Sequence, residues 1–327
     1  MGTPIIEKFN IAKYQIILEA LGTIRLPPYA GSTLRGAFGS TFKAITCTNK
    51  TVQTCSKCEK RRQCTYFQIY ENSGEFSQLK LTRFKTPPKP FVFDPPMQAS
   101  PQVYEKGQVL AFNLVLIGRA LKSFPYFIIA FKEMGLQGIG KGRGTFSLKE
   151  IHGLNDVKHE NRLIYSSEND MIMNENTSFN LIDFIQAQTV QEITIKRAVV
   201  TFVTPTRIKS SGSYGNPLNF KVLIQTLLTR ISNLAYSYCD QKEIINFRDL
   251  VNASQKIEVV LEKKQWQDVR RFQTQNNMEM FLGGYIGEIT YEGELNAFWP
   301  WLKLGETLHL GKNCAFGLGK FTVAMEA

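Results

Sequence analysis

The chain has 327 residues, 43% of them hydrophobic, which is enough for about two ordinary domains with real cores and argues against a disordered protein. Thirty-nine Lys and Arg against 28 Asp and Glu leave a formal charge of +11, which favours an acidic partner, either nucleic acid or an anionic membrane surface. No apolar run reaches membrane-spanning length and Met1 to Ala20 carries charges throughout, so the expected setting is the cytoplasm, where six cysteines are reduced thiols or metal ligands.

Phe9 to Glu19 alternates and is rich in isoleucine, which predicts a strand. Pro27-Pro28-Tyr29-Ala30-Gly31 ends it. Ser32 or Thr33 then caps a helix over Leu34 to Lys43, with Leu34, Phe38 and Phe42 as one apolar stripe. Gly36 and Gly39 cost helix propensity, so a neighbour is expected to pack closely there. Arg35 is either a plain surface arginine or an RNA phosphate contact.

Cys47, Cys55, Cys58 and Cys64 follow with the spacing C-x7-C-x2-C-x5-C. Cys55-Ser56-Lys57-Cys58 is the two-residue knuckle that lets two thiolates meet one tetrahedral ion. Lys57, Lys60, Arg61 and Arg62 would help hold thiolates ionised. Four thiolates with no open position predict a structural zinc site. The alternatives are a reduced loop without metal and an iron–sulfur cluster.

Thr86 to Pro96 is proline-rich and extended, Gln108 to Ile117 is a strand, and Leu121 to Met134 is a helix with Pro125 in its first turns. Gly138 to Phe146 is a glycine-rich stretch holding Lys141 and Arg143, and it leads into a strand from Thr145 to Ile151. This order is the split βαβ, ferredoxin-like pattern with an insertion. His152 to Asn180 is polar and reads as a linker with an irregular strand, and His152 and His159 in it read as solvated.

The second half repeats the order. Glu192 to Val203 is a strand, and Thr204 to Gly212 is a basic loop. Leu218 to Tyr238 is a helix burying Leu223, Leu227, Leu228, Ile231, Leu234 and Ala235. Val259 to Phe272 carries Trp266, Arg270 and Arg271. Met280 to Tyr291 is a glycine-containing strand, and Asn296 to Leu304 is a short aromatic helix. The last stretch, Leu308 to Phe321, places Gly311, Gly317 and Gly319 with Lys312 and Lys320 between two strand-like runs. Glycine lets a backbone approach a ligand closely and lysine suits a phosphate chain, so this loop is a candidate RNA contact; plain turn geometry is the other reading. In a strand, His309 would project from the sheet beside the loop, where a group titrating near neutrality could move protons and Lys312 could steady charge. A histidine hydrogen-bonded in a turn is the alternative.

Three separated motifs carry a resemblance: Ala30-Gly31-Ser32-Thr33-Leu34-Arg35-Gly36-Ala37-Phe38-Gly39, the cysteine knuckle ending Cys64-Thr65-Tyr66, and Leu282-Gly283-Gly284-Tyr285-Ile286-Gly287 together with His309 through Gly319. Over most of its length the chain resembles the CRISPR-associated precursor-RNA-processing endoribonucleases of the RAMP superfamily. The resemblance implies an α+β protein of two tandem ferredoxin-like (RRM-like) domains, residues 1–185 with the cysteine insertion at 47–70 and residues 186–327 with the glycine-rich loop. It implies RNA bound in a cleft between them. It also implies metal-independent cleavage of CRISPR repeat RNA, leaving a 2′,3′-cyclic phosphate and a 5′-hydroxyl, with the zinc knuckle structural.

Many relatives carry a histidine base in the first helix, whereas Arg35 to Lys43 contains none. Catalysis then falls to His309 with Lys312, or to Tyr29 or Tyr285 with a lysine, or is lost. Arg35, Lys141, Arg143, Arg270, Arg271, Gly311, Lys312, Gly317, Gly319 and Lys320 are the candidate RNA contacts. The expected partner is precursor guide RNA, with subunits of a CRISPR effector complex second and no membrane. The competing readings are a non-catalytic guide-RNA-binding subunit and a zinc-stabilised module for another structured RNA.

Overall fold

The computed structural model describes residues 8–52, 54–71, 87–190, 193–209, 218–241, 245–273 and 278–326. It divides into an N-terminal unit, Lys8–Phe179 with Asn233–Gln241, and a C-terminal unit, Asn180–Ser232 with Lys242–Ala327. Among the described residues no helix is long and apolar enough to cross a membrane.

In the N-terminal unit, β1 (Asn10–Ala20) buries Tyr14, Ile16, Leu18 and Ala20 on one face and leaves Lys13, Gln15, Ile17 and Glu19 half-buried on the other. After β2 (Ile24–Leu26), Pro27 and Pro28 stop the strand and α1 (Gly31–Thr46) begins at once. Its N-cap is Ala30 without a side-chain hydrogen bond, so Ser32 and Thr33 lie inside the helix rather than capping it. The unit continues through β3 (Phe91–Asp94), β4 (Gln102–Tyr104), β5 (Val109–Ile117), α2 (Phe124–Gln137), β6 (Phe146–Asn155), β7 (Glu160–Ser166), β8 (Met171–Ile172) and β9 (Phe179–Asn180).

The main sheet runs β3-β5-β1-β6-β7-β8, and its pairs are antiparallel. Its first four strands have the ferredoxin order, second-third-first-fourth. Aromatic packing joins the helices to the sheet: the Phe38 ring lies 4.7 Å from Phe127, 5.1 Å from Phe93 and 5.3 Å from Phe131. The expected linker after His152 is instead the β6–β7 hairpin. His152 bonds Glu150 and Asn161 there, and His159 takes φ 55° at the turn. Polar composition misled because this sheet extension exposes much of its surface.

The C-terminal unit opens with α3 (Leu181–Gln188), capped by Asn180, whose side chain accepts the Ile182 N–H at 2.7 Å. Then come β10 (Arg197–Thr206), α4 (Phe220–Tyr238, of which Asn233–Tyr238 counts with the N-terminal unit), α5 (Arg248–Ala253), β11 (Glu258–Gln267), β12 (Arg270–Gln273), β13 (Met278–Phe281), β14 (Gly284–Glu292), α6 (Trp299–Leu308) and β15 (Phe321–Glu326). The sheet order β11-β14-β10-β15 is again second-third-first-fourth, with β12–β13 as a separate hairpin. The two units are therefore one fold used twice. On α4, Leu223, Leu227, Leu228, Ile231, Leu234 and Ala235 are all buried, as their spacing predicts.

Candidate nucleic-acid interface

The closing segment is not a hairpin of two strands. Its first part is the end of α6, and only β15 after it is extended. Between them Gly311 (φ 85°), Asn313 (φ 64°), Gly317 (φ 85°) and Gly319 (φ 76°) wind the chain around a single short turn, Cys314–Phe316.

Main-chain bonds hold this loop. Leu310 donates to the Gly319 carbonyl at 2.8 Å, Gly317 to Cys314 at 2.8 Å, and Gly319 to Pro205 at 3.2 Å. The Thr204 hydroxyl donates to the Gly317 carbonyl at 3.0 Å and accepts the Lys320 N–H at 2.9 Å. Gly317 and Gly319 are buried with their N–H groups spent inside the protein. Their work is to set the loop's path, not to offer donors to a phosphate. Lys312 is exposed and Lys320 half-buried, so charge from this loop reaches solvent mainly through Lys312.

His309 departs from the strand expectation. It caps α6 with φ 61°, its N–H donates to Gly305 at 2.8 Å, and its Nδ1 lies 3.3 Å from the Leu318 carbonyl. It is 1% exposed. The leucines flanking it are buried as well, because the helix runs up to this position instead of a strand that alternates sides. The ring joins the entry of the loop to its exit and does not project beside it.

The β12–β13 hairpin brings a predicted contact to the loop: the Arg271 guanidinium sits 4.7 Å from the centroid of Phe316. Arg270 is exposed. Next along the same unit, Trp266 meets Tyr285 edge-on at 5.2 Å, and Lys264 lies over the Tyr285 ring at 4.3 Å. Trp266 is 43% exposed. Basic side chains interleaved with aromatic rings suit ribose-phosphate chains with unstacked bases. The Trp266–Lys264 pair was missed in the sequence, although alternating Lys and aromatic residues on one strand are the signal for it.

The N-terminal unit carries a second loop of the same kind. Gly140 has φ 72°, and the Lys141 N–H donates to the Arg25 carbonyl at 3.0 Å. Arg25, Lys141 and Arg143 are all exposed.

On α1, the Arg35 guanidinium lies 4.1 Å from the Tyr70 ring centroid, and the Tyr70 hydroxyl donates to the Arg35 carbonyl at 2.8 Å. Gly39 makes this possible, since a Cβ there would fall 1.9 Å from the Tyr70 hydroxyl oxygen. Lys89 donates to the Glu71 carbonyl. Burial pushes the Lys89 ammonium down to about 8, with Glu71 opposing and Arg35 adding to the shift. Sequence reading passed over Lys89. Its place between Pro88 and Pro90, at the edge of the buried Phe91-Val92-Phe93 run, was the available sign of a desolvated amine. Tyr29 is 3% exposed, which leaves its hydroxyl little access to a substrate.

Cys47, Cys55, Cys58 and Cys64 line one pocket with Asn49, Val52, Arg61 and Phe67. Among the described residues no group of three or more His, Cys, Asp or Glu is already arranged to hold a metal ion.

Comparison with known proteins decides the family. Residues 9–177 match the AF_1859_N N-terminal domain, and residues 200–321 match the CRISPR-associated endoribonuclease Cas6. The chain belongs to the family defined by the AF_1859_N N-terminal domain, and its C-terminal part is similar to Cas6. The Cas6 match covers β10 from Val200 onward, the Trp266–Tyr285 pair and the whole glycine loop. An uncharacterized protein of Archaeoglobus fulgidus is 25% identical over 301 residues, 91% of this chain and 92% of its own. A solved Cas6 product complex superposes with a TM-score of 0.52 at 16% identity, over 96% of this chain and 99% of that one. A partial Cas6-RT-Cas1–Cas2 complex gives a TM-score of 0.58 at 12% identity, over 98% of this chain and 47% of that one. At these identities the two structures speak for the fold alone.

Proposed function

We propose that this chain is an endoribonuclease that cuts CRISPR precursor RNA within its repeats to release guide RNAs. The observation that carries this reading is the Cas6 endoribonuclease match over the residues that build the glycine loop, with Lys312 exposed on that loop and Arg271 packed against it. A net charge of +11 supports a polyanionic substrate. The fold shared with a Cas6 product complex is consistent with it.

The reaction proposed is attack by a ribose 2′-hydroxyl on its own 3′-phosphate. The 2′-oxygen forms a bond to phosphorus, and the bond to the 5′-oxygen breaks. A base takes the 2′ proton, and an acid returns one to the departing 5′-oxygen. The ends are a 2′,3′-cyclic phosphate and a 5′-hydroxyl, and no metal ion takes part.

For proton transfer, Lys89 is the group this structure favours. Its amine is held near 8 by burial, so an appreciable share is neutral close to physiological pH. Arg35, beside it, suits the phosphate. Lys312, Arg271, Lys320, Lys141 and Arg143 serve as RNA contacts. His309 and Tyr29 act by position, since both are buried.

The test is incubation of the purified chain with repeat RNA in EDTA. Cleavage at one phosphate with a cyclic-phosphate end is expected. Tight binding without product would replace the enzyme with a guide-RNA-binding subunit.

A further inference from the structure

The four pocket cysteines come from successive pieces of chain: Cys47 closes α1, Cys55 opens one short helical turn, Cys58 precedes the next, and Cys64 follows that turn. Nothing in the RNA-cleavage reading uses them. The two turns, Cys55–Lys57 and Glu59–Arg62, bury none of their own residues. A segment with no apolar core of its own needs another cross-link to keep one shape.

The thiols share one small, partly open pocket with Asn49, Val52, Arg61 and Phe67. Four cysteines supply the full ligand set of one tetrahedral ion. Four sulfur donors select a borderline-soft divalent ion over magnesium or calcium. Four thiolates around a divalent cation leave a charge of −2, and Lys57, Lys60, Arg61 and Arg62 lie in the same short stretch to offset it. Arg61 is held at the pocket, where its Nη1 donates to the Cys58 carbonyl at 3.2 Å.

We propose that Cys47, Cys55, Cys58 and Cys64 together bind one zinc-class ion in a closed, four-thiolate site. The thiols line the pocket without yet standing at metal-holding spacing, and Cys47 Sγ lies 3.4 Å from the Asn49 carbonyl. With every ligand position filled by protein, the ion does no chemistry on RNA. Its effect is to fix the insertion against the end of α1. The residues just after Cys64 then reach back along that helix: the Tyr66 ring packs 6.4 Å from Phe42, and Tyr70 closes on Gly39 and Arg35.

The experiment uses the full chain expressed in zinc-supplemented medium. Elemental analysis is expected to find about one zinc per chain. Exchange with cobalt(II) is expected to give the strong near-ultraviolet sulfur-to-cobalt band of thiolate ligation. Cys55→Ser/Cys58→Ser should lose the ion, while Cys239→Ala, outside the pocket, should keep it. If the double variant fails to fold, the cobalt spectrum of the unaltered chain decides alone. A chain that carries no metal and gives no thiolate–cobalt band overturns the proposal. A disulfide between two pocket cysteines, found by mass spectrometry of the unreduced chain, overturns it in favour of a redox pair. Equal metal loss in Cys239→Ala overturns it too.

Discussion

Lys141 and Lys312 occupy the same main-chain setting in two different units. Each donates its backbone N–H to an arginine carbonyl at 3.0 Å, Arg25 in one case and Arg207 in the other. Each follows a glycine with positive φ, Gly140 at 72° and Gly311 at 85°. A Cβ on Gly140 would fall 2.1 Å from the Arg25 carbonyl oxygen, and one on Gly311 would fall 2.5 Å from that of Arg207. Both loops also stand at one topological position, after the second ferredoxin helix and before the fourth strand.

Because both lysines are exposed on equivalent loops, Lys141→Ala and Lys312→Ala are each expected to weaken repeat-RNA binding. Each should also reduce the slope of log K against log salt by about one. Titrations across salt concentrations, with an uncleavable 2′-deoxy repeat, provide the measurement. A change confined to Lys312→Ala would mean that the N-terminal loop shares its geometry without sharing its ligand.

The duplication shows what was legible in the sequence. The Leu34-Phe38-Phe42 stripe, the alternation along β1 and the α4 leucines each follow a local period, and periodicity survives folding. The ferredoxin order followed from the succession of such elements. What misled was the stretch around His309. Leu308-His309-Leu310 alternates like a strand, yet it ends a helix, and only the left-handed turn at His309 and Gly311 separates the two. Lys89 was illegible for a different reason: its depressed basicity comes first from burial and then from Arg35, 54 positions away in the chain, with Glu71 opposing.

Lys89 gives a prediction with a definite sign. Burial disfavours its charged form, so the neutral amine, which is the form that accepts a proton, accumulates as pH rises through about 8. If Lys89 is the base, single-turnover cleavage should climb with pH and level off above about 8. Lys89→Arg stays protonated across this range and should slow cleavage by roughly 10²-fold, with little change in binding of the 2′-deoxy repeat. A pH profile identical in the variant assigns the base elsewhere.

Gly39→Ala tests the Arg35–Tyr70 contact without touching either residue. The added methyl would sit 1.9 Å from the Tyr70 hydroxyl oxygen and 2.2 Å from the ring carbon bearing it, so Tyr70 must move. Alanine favours helix by about 1 kcal/mol, which opposes the clash. The displacement should win, because overpacking costs about 1–3 kcal/mol and the Tyr70–Arg35 hydrogen bond is lost as well. Urea unfolding should show a net destabilisation. Cleavage should fall more than binding if Arg35 must be held in place for the phosphate. A stabilised variant with unchanged cleavage would show that Tyr70 does not position Arg35.

His309 separates a positioning role from a catalytic one. Its ring is buried and meets the Leu318 carbonyl, and its backbone is left-handed. His309→Ala removes that contact, leaves space behind it and puts a Cβ-bearing residue with no compensating hydrogen bond at φ 61°. The combined cost should be about 2–4 kcal/mol, read from urea midpoints. His309→Asn should recover part of it, because its side-chain amide can donate to the same carbonyl. RNA binding should weaken in step with stability, since the loop that carries Lys312 is what loosens. Full stability with cleavage abolished in His309→Ala would instead put the imidazole on the reaction path, and the positioning role would have to be given up.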